Sequence, residues 1–468
     1  MRWKFCGEGR IIFVAMFLLS SYFSALAAST NRYVSLSGGN RWPYTNWADA
    51  GTNIVEVVNL ANSYNEGDVV VVSNGTYALT NSIWVSYATV SNFNTNRSAT
   101  VILGNNQNRC VFMSNAYAAV HGFTITNGTA DFGGGVLAYG GLLNNCAIVG
   151  NCATGSSASW GNGGGGVKCQ SSTIITNCLI MQNIATQDAF GAGVNCDVGQ
   201  IYNSTIIGNT AYPPSWAGGV FAKNCNIYDS MITANSAYDG GGAYVAYSSS
   251  IRDCFVGNNA ASRKGGGLAL DGLCSVQGCI IISNTALTNG GGVTIDGGAR
   301  KGPCLLENSL VVENWSRYGG GAYCIKYNGT STGIVANCTV VSNSCDIAGG
   351  GVYVASTVKC FMTNSIVYFN SGPYSNVYEL KSAAFSCVAP TNGFTENNLN
   401  NISDNPQFSD LNGRNYRLTV NSPCVNTGTN QDWMTNSFDL DGRQRIRYGT
   451  VDMGAYETIY EGTIYRIP

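Results

Sequence analysis

Clusters of glycine recur along the middle of this chain, each in phase with a short motif that closes on asparagine. Nine clusters end at Gly135, Gly166, Gly193, Gly219, Gly242, Gly267, Gly292, Gly321 and Gly351, spaced 23 to 31 residues apart. In phase with them runs a seven-residue motif: a polar or turn residue, then Cys or Ser, an apolar-rich stretch and a closing Asn. It reads NCAIVGN from Asn145, NSTIIGN from Asn203, DCFVGNN from Asp253 and NCTVVSN from Asn337. Between the anchors, short runs rich in Val, Ile and Tyr alternate apolar and polar residues, which is strand periodicity. A unit of this length cannot bury its own apolar face, so consecutive units must stack to make a core. The spacing predicts an all-β chain in which each repeat is one coil of a parallel β-helix, or solenoid.

The anchors have physical work to do in such a coil. Asn tolerates left-handed backbone and bonds its own corner, and stacked Asn side chains form ladders from coil to coil. Gly adopts angles closed to other residues and lets backbones approach. The second motif position becomes a column of small inward side chains, with Cys146, Cys178, Cys254, Cys279 and Cys338 alternating with Ser204, Ser230, Ser309 and Ser365. A second register holds Cys225, Cys274, Cys304 and Cys360. Eighteen cysteines would suggest a disulfide framework. Free exchange of Cys with Ser favours packing thiols instead, with disulfides or metal as the alternative.

The ends of the chain differ from the middle. Arg2, Lys4 and Arg10 precede an apolar run over residues 11–23 and the small-x-small pattern Ala25-Leu26-Ala27, the pattern of a secretory signal peptide over residues 1–27. No second apolar span follows, so an exported, soluble mature chain without a transmembrane span is expected, extracellular or at the cell surface. Residues 28–119 are expected to hold an N-terminal cap and the first coils. There Ile54, Val57, Val58 and Ala61 mark one face of a helix, with Thr52 or Asn53 as N-cap. The repeats occupy residues 120–385 and a C-terminal cap residues 386–468. Formal net charge is -2 with 11% charged residues, which leaves no basic stripe for nucleic acid. A monomer is expected.

The Gly-Gly-(Ala/Val/Leu) and x-x-Asn pair resembles the repeat of polymorphic outer-membrane proteins over roughly residues 120–375. It is also similar to the wider pectate-lyase-like superfamily of exported bacterial proteins. That resemblance implies a right-handed β-helix. The run "SPCVNTG" from Ser422, "DLDGRQR" from Asp439 and "VDMGAYE" from Val451 resembles the tail of exported β-helix proteins of the choice-of-anchor class. Asp439, Asp441, Asp452 and Glu457 there form a candidate calcium site. Salt bridges to Arg443, Arg445 and Arg447 are the competing reading. Asn426 stands where those relatives tend to carry Asp, which counts against calcium. No other cofactor is implied.

Candidates for chemistry are few. The single His, His121, lies inside an early coil and reads more readily as a packed residue than as a catalyst, which argues against His-based triads and His zinc sites. The Asp-Asp pair and Gly-His-Gly of polygalacturonases are missing. Asp239, Arg263 and Lys264 fall in the same corner of consecutive coils and form the candidate acid–base group; a surface ion pair is the bland alternative. The loops between Asn and the next glycines carry Trp160, Phe190, Tyr212, Trp216, Tyr238, Trp315 and Tyr318, a candidate aromatic stripe for sugar rings. Alternatively these rings cover the glycine corners. Three functions are therefore weighed: a non-catalytic adhesion or polysaccharide-binding scaffold, which is favoured; a polysaccharide lyase or glycoside hydrolase on an acidic glycan; and a passive spacer. The enzyme requires two carboxylates and a basic residue converging in a groove.

Overall fold

The computed structural model describes residues 29–94, 96–155, 162–186, 188–297, 302–325, 332–356, 358–390 and 396–459. The expected signal peptide lies outside the described residues. The chain divides into two compact units, residues 1–238 and 239–468. Both have the same construction, a parallel β-solenoid of about 11 turns in all that matches a right-handed parallel β-helix. After each glycine cluster the coil runs through four walls. In unit 1, Val136–Ala138, Leu142–Asn144, Ala147–Val149 and Cys152–Ala153 pair in register with Val167–Cys169, Thr173–Thr176, Leu179–Met181 and Ile184–Ala185. In unit 2, Leu268–Asp271, Ser275–Gln277, Ile280–Ile282 and Thr285–Asn289 do the same with the coil that begins at Val293.

The closing asparagines form the expected ladders. In unit 1 the Oδ1 of Asn183 accepts from both the backbone N and Nδ2 of Asn151 (3.0 and 3.1 Å), and the Oδ1 of Asn209 accepts from Asn183 in the same way. In unit 2 the ladder runs Asn259, Asn284, Asn314, Asn343, Asn370. The second Nδ2 proton returns to the preceding coil, as from Asn314 to the Ile281 carbonyl at 3.0 Å. One expectation needs correcting. The closing Asn is not the left-handed residue; the residue just before it is, with φ of 53° at Gln182 and 56° at Glu313. The motif's first residue is left-handed too, with φ of 54° at Asn177. A left-handed residue turns the corner, and its neighbour is then free to bond inward.

The three glycines serve three different needs. Gly290 has φ of 64°. A Cβ on Gly291 would stand 2.4 Å from the Trp315 carbonyl oxygen of the next coil. A Cβ on Gly292 would stand 3.0 Å from Nδ2 of Asn314 and obstruct the ladder. The Cys/Ser column behaves as a set of small inward groups. Serine hydroxyls return to backbone, as from Ser204 to the Tyr202 carbonyl at 2.7 Å, so either residue fits.

At the N-terminus the helix is Ile54–Tyr64, capped by the Asn53 side chain on the Val55 N–H, with Ile54, Val57, Val58 and Ala61 buried as expected. It packs on strands Asn31–Val34, Val69–Val72 and Ile83–Val85. The C-terminal segment lies along the third wall of unit 2. Tyr416, Ala455 and Tyr456 pack on Leu310, Val312 and Val341, and Leu418, Cys424 and Met453 pack on Ile366 and Cys387. Among the described residues no helix is long and apolar enough to cross a membrane.

Candidate functional site

The residue two places after each glycine cluster points outward from the first wall. These are Leu137, Lys168, Asn195 and Phe221 in unit 1, and Tyr244, Ala269, Thr294, Tyr323 and Tyr353 in unit 2. The glycine corner folds back against this face. A Cβ on Gly319 would lie 2.8 Å from the Cβ of Tyr323, and one on Gly265 would lie 2.8 Å from that of Ala269. Most of this column is therefore buried although it lies outside the coil.

In unit 2 the corner gathers charge. Asp239 is fully buried and held by the Arg263 guanidinium, Nε to Oδ1 at 2.7 Å and Nη2 to Oδ2. Lys264 Nζ lies 3.6 Å from Asp296 Oδ2, with both side chains buried. Tyr244 donates its hydroxyl to Asp271 Oδ2 at 3.0 Å. Burial, reinforced by the Asp271, Asp239 and Asp296 carboxylates, pushes the Tyr244 phenol well above its usual range and keeps it a donor. Asp239 thus pairs with Arg263 and Lys264 with Asp296, and the Tyr244–Asp271 pair lies near both Asp239 and Asp296. Among the described residues, no group of three or more His, Cys, Asp or Glu is disposed to hold a metal ion.

Unit 1 carries a smaller polar group on the same wall. Lys168, fully buried, donates to Asn195 Oδ1 at 3.0 Å, and Asn195 donates in turn to the Asn162 carbonyl at 2.9 Å. Burial pulls the Lys168 ammonium below its usual range, opposed by Asp197, which pairs with Lys223 at 2.7 Å. His121 sits on the second wall against Asn144 Nδ2 at 2.9 Å, and burial lowers its affinity for a proton.

The loop aromatics are divided among different surroundings. Trp160 lies outside the described residues. Phe190 packs on Trp216 and Phe221, each with ring centroids 5.2 Å apart, and the three rings close the glycine corner. Tyr212 is exposed, and Tyr238 and Trp315 are half-buried, the last donating Nε1 to Asp346 at 3.2 Å. Tyr318 reaches a ring column, meeting Tyr353 edge-on at 5.5 Å.

The larger ring arrays are ones the loop reading missed. In unit 2, Tyr323, Tyr353 and Tyr378 stack face to face on consecutive coils at 4.8 and 4.9 Å, with Tyr374 edge-on to Tyr378 and 68% exposed. In unit 1, Trp84, Phe112 and Tyr139 form an edge-to-face chain at 4.9 and 5.3 Å, while Tyr87 stacks on Tyr117 at 5.8 Å. Trp84, Tyr87, Tyr117 and Tyr139 are all exposed. The signal was periodic: Tyr323 and Tyr353 sit two residues after a glycine cluster, where strand alternation points a side chain outward.

The C-terminal carboxylates surround a guanidinium. Arg445 is fully buried, 3.3 Å from Glu457, with Nη2 also on the Gly454 carbonyl at 2.9 Å. Asp439, Asp452 and Glu457 spend their oxygens on backbone N–H groups: Arg443 and Glu457 on Asp439, Asn426 and Thr458 on Asp452, and Asp452 on Glu457. Asp441 pairs instead with Arg417 and, at 3.1 Å, Arg443. Arg447 lies over the Tyr448 ring. The geometry is that of a buried ion cluster, with a guanidinium where the calcium reading would put a cation.

No protein-family model matches the chain, and no curated protein matches it. Among solved structures, the chain is similar to pectate lyase Pel9A. That match has a TM-score of 0.41 and 12% identity, and covers 92% of this chain and 97% of that one. A superposition this loose transfers no residue role, so function rests on the sites described above.

Proposed function

We propose that this is an exported, surface-exposed scaffold that binds a polysaccharide without cleaving it, with sugar rings lying on the aromatic arrays of the first wall. The observation that carries the reading is the Tyr323–Tyr353–Tyr378 stack with Tyr374 at its open end. Coils repeat about every 4.8 Å, roughly the length of one pyranose unit. The stacked rings cover one another's faces, and Tyr374, exposed beside Tyr378, offers an aromatic surface that suits the C–H faces of sugars. The Trp84–Phe112–Tyr139 chain offers unit 1 a comparable surface. Export rests on the signal-like pattern before Ala28.

A second reading, a lyase or hydrolase on an acidic glycan, is favoured by the Asp239, Asp271, Asp296, Arg263 and Lys264 corner. Accessibility weighs against it. A general base must come within hydrogen-bond reach of the proton it removes. Asp239, Asp296 and Lys264 are buried and occupied with one another or with Arg263.

The test is affinity electrophoresis of the full chain in gels cast with neutral and acidic polysaccharides, with ultraviolet detection of unsaturated uronates in calcium. Retardation without product is expected. Tyr374→Ala and Tyr378→Ala should each weaken retention about three- to tenfold, and Trp84→Ala reports whether unit 1 contributes. Product formation that disappears in Arg263→Ala would replace this reading with the lyase. No retardation in any gel would leave the spacer.

A further inference from the structure

Two sulfurs meet inside unit 2. Cys324 belongs to the first wall of one coil and Cys360 to the second wall of the next, and their Sγ atoms lie 3.1 Å apart. The residue that makes room is Gly333, which pairs with Cys360 across the coil interface. A Cβ on Gly333 would stand 3.3 Å from Cys324 Sγ and 3.6 Å from Cys360 Sγ.

Most of the other neighbouring thiols have a different geometry; Cys387 and Cys424, which hydrogen-bond each other between a coil and the C-terminal segment, are a separate case. Cys169 and Cys196 pair in register on the first wall. Cys146 with Cys178 and Cys274 with Cys304 stand one residue ahead of paired strands on a single wall. In-register neighbours on a parallel wall have parallel Cα–Cβ bonds about 4.8 Å apart, whereas a disulfide needs Cβ atoms about 3.5–4.5 Å apart. Cys324 and Cys360 come from different walls, so their side chains converge instead of running alongside each other. Unit 1 repeats the device in part: a Cβ on Gly199 would stand 2.9 Å from Cys196 Sγ, and Cys196 hydrogen-bonds Cys225, but Cys169 competes for the same sulfur.

We propose that Cys324 and Cys360 close a disulfide under oxidising conditions, a covalent staple between consecutive coils, while the in-register thiols remain reduced. With a small-molecule disulfide such as oxidised glutathione as oxidant, one cysteine thiolate attacks its S–S bond, forming a mixed disulfide and releasing one glutathione thiol. The second cysteine then displaces the other glutathione. The protein thiols lose two protons and two electrons, one S–S bond forms as one breaks, and two glutathione thiols result. The proposal is independent of the ligand reading.

The test holds the full chain in oxidised glutathione with enough urea to permit local opening. The sample is then quenched in acid, unfolded, labelled with iodoacetamide without reductant, and digested for mass spectrometry. The expected result is a Cys324 peptide joined to a Cys360 peptide, two hydrogens lighter than the separate pair and released by reductant, with Cys146 and Cys178 labelled. In Cys324→Ser, Cys360 should become labelled or capped by glutathione. Iodoacetamide on both Cys324 and Cys360, single glutathione caps on each, or cross-links confined to in-register pairs would overturn the proposal.

Discussion

Asn314→Ala is expected to destabilise unit 2 by about 2–6 kcal/mol, because a buried donor left without a partner costs about 1–3 kcal/mol and each further lost hydrogen bond about 0.5–1.5 kcal/mol. The Asn284 backbone N–H loses its acceptor at 2.9 Å. Asn284 Nδ2 loses one of two acceptors and keeps the Val256 carbonyl at 3.0 Å, and the Ile281 carbonyl loses a side-chain donor. Ala cannot recruit water, since Asn314 and Asn284 are fully buried. Urea unfolding followed by far-UV circular dichroism measures the effect. Gln277→Ala, on the outer side of the neighbouring wall, should shift stability by no more than about 0.5 kcal/mol. A loss under about 1 kcal/mol for Asn314→Ala would show that the ladder follows from the packing and does not hold it.

Arg445→Met should cost about 3–5 kcal/mol near pH 9 and above, where Glu457 ionises, the usual penalty for removing one partner of a buried ion pair. It takes the guanidinium partner from the Glu457 carboxyl group and leaves Asp439 and Asp452 close by without that cation. The loss should depend on pH. Burial, outweighing the attraction of Arg445, raises the Glu457 carboxyl from 4.5 to about 9. A carboxyl with a raised folded-state value binds its proton more tightly when folded. The stability linked to it is complete below about 4.5 and is lost as pH rises through about 9. Without Arg445 that attraction is gone, so the deficit should be larger near pH 9 than near pH 5. Adding Glu457→Gln should recover part of it and flatten the profile. Equal losses at both pH values would assign the effect of Arg445 to packing.

The repeat made the solenoid legible because its information is local and periodic. Asn at a fixed place in every unit is meaningful only if the units stack in register, and Asn259 through Asn370 do so. The terminal helix was legible for the same reason, its four apolar residues marking one face. The outward column is equally periodic, and its rings lie on strands rather than in the variable loops. Tyr323, Tyr353 and Tyr378 sit within strands and stack there.

The coil, its length and the ladder that ties one coil to the next were all legible in the repeat, since they depend on spacing along the chain. The residue that turns each corner, the groups that meet across walls and the depth at which each is buried follow from the packing of the folded coils. Asp239 and Asp296 are 57 residues apart in sequence, yet both lie near Tyr244 and each is paired with a basic side chain. Arg445 and Arg447 are near neighbours in sequence, yet one is fully buried among carboxylates and the other lies over Tyr448. The reason is physical: backbone periodicity sets register, whereas desolvation depends on everything that surrounds a side chain in space.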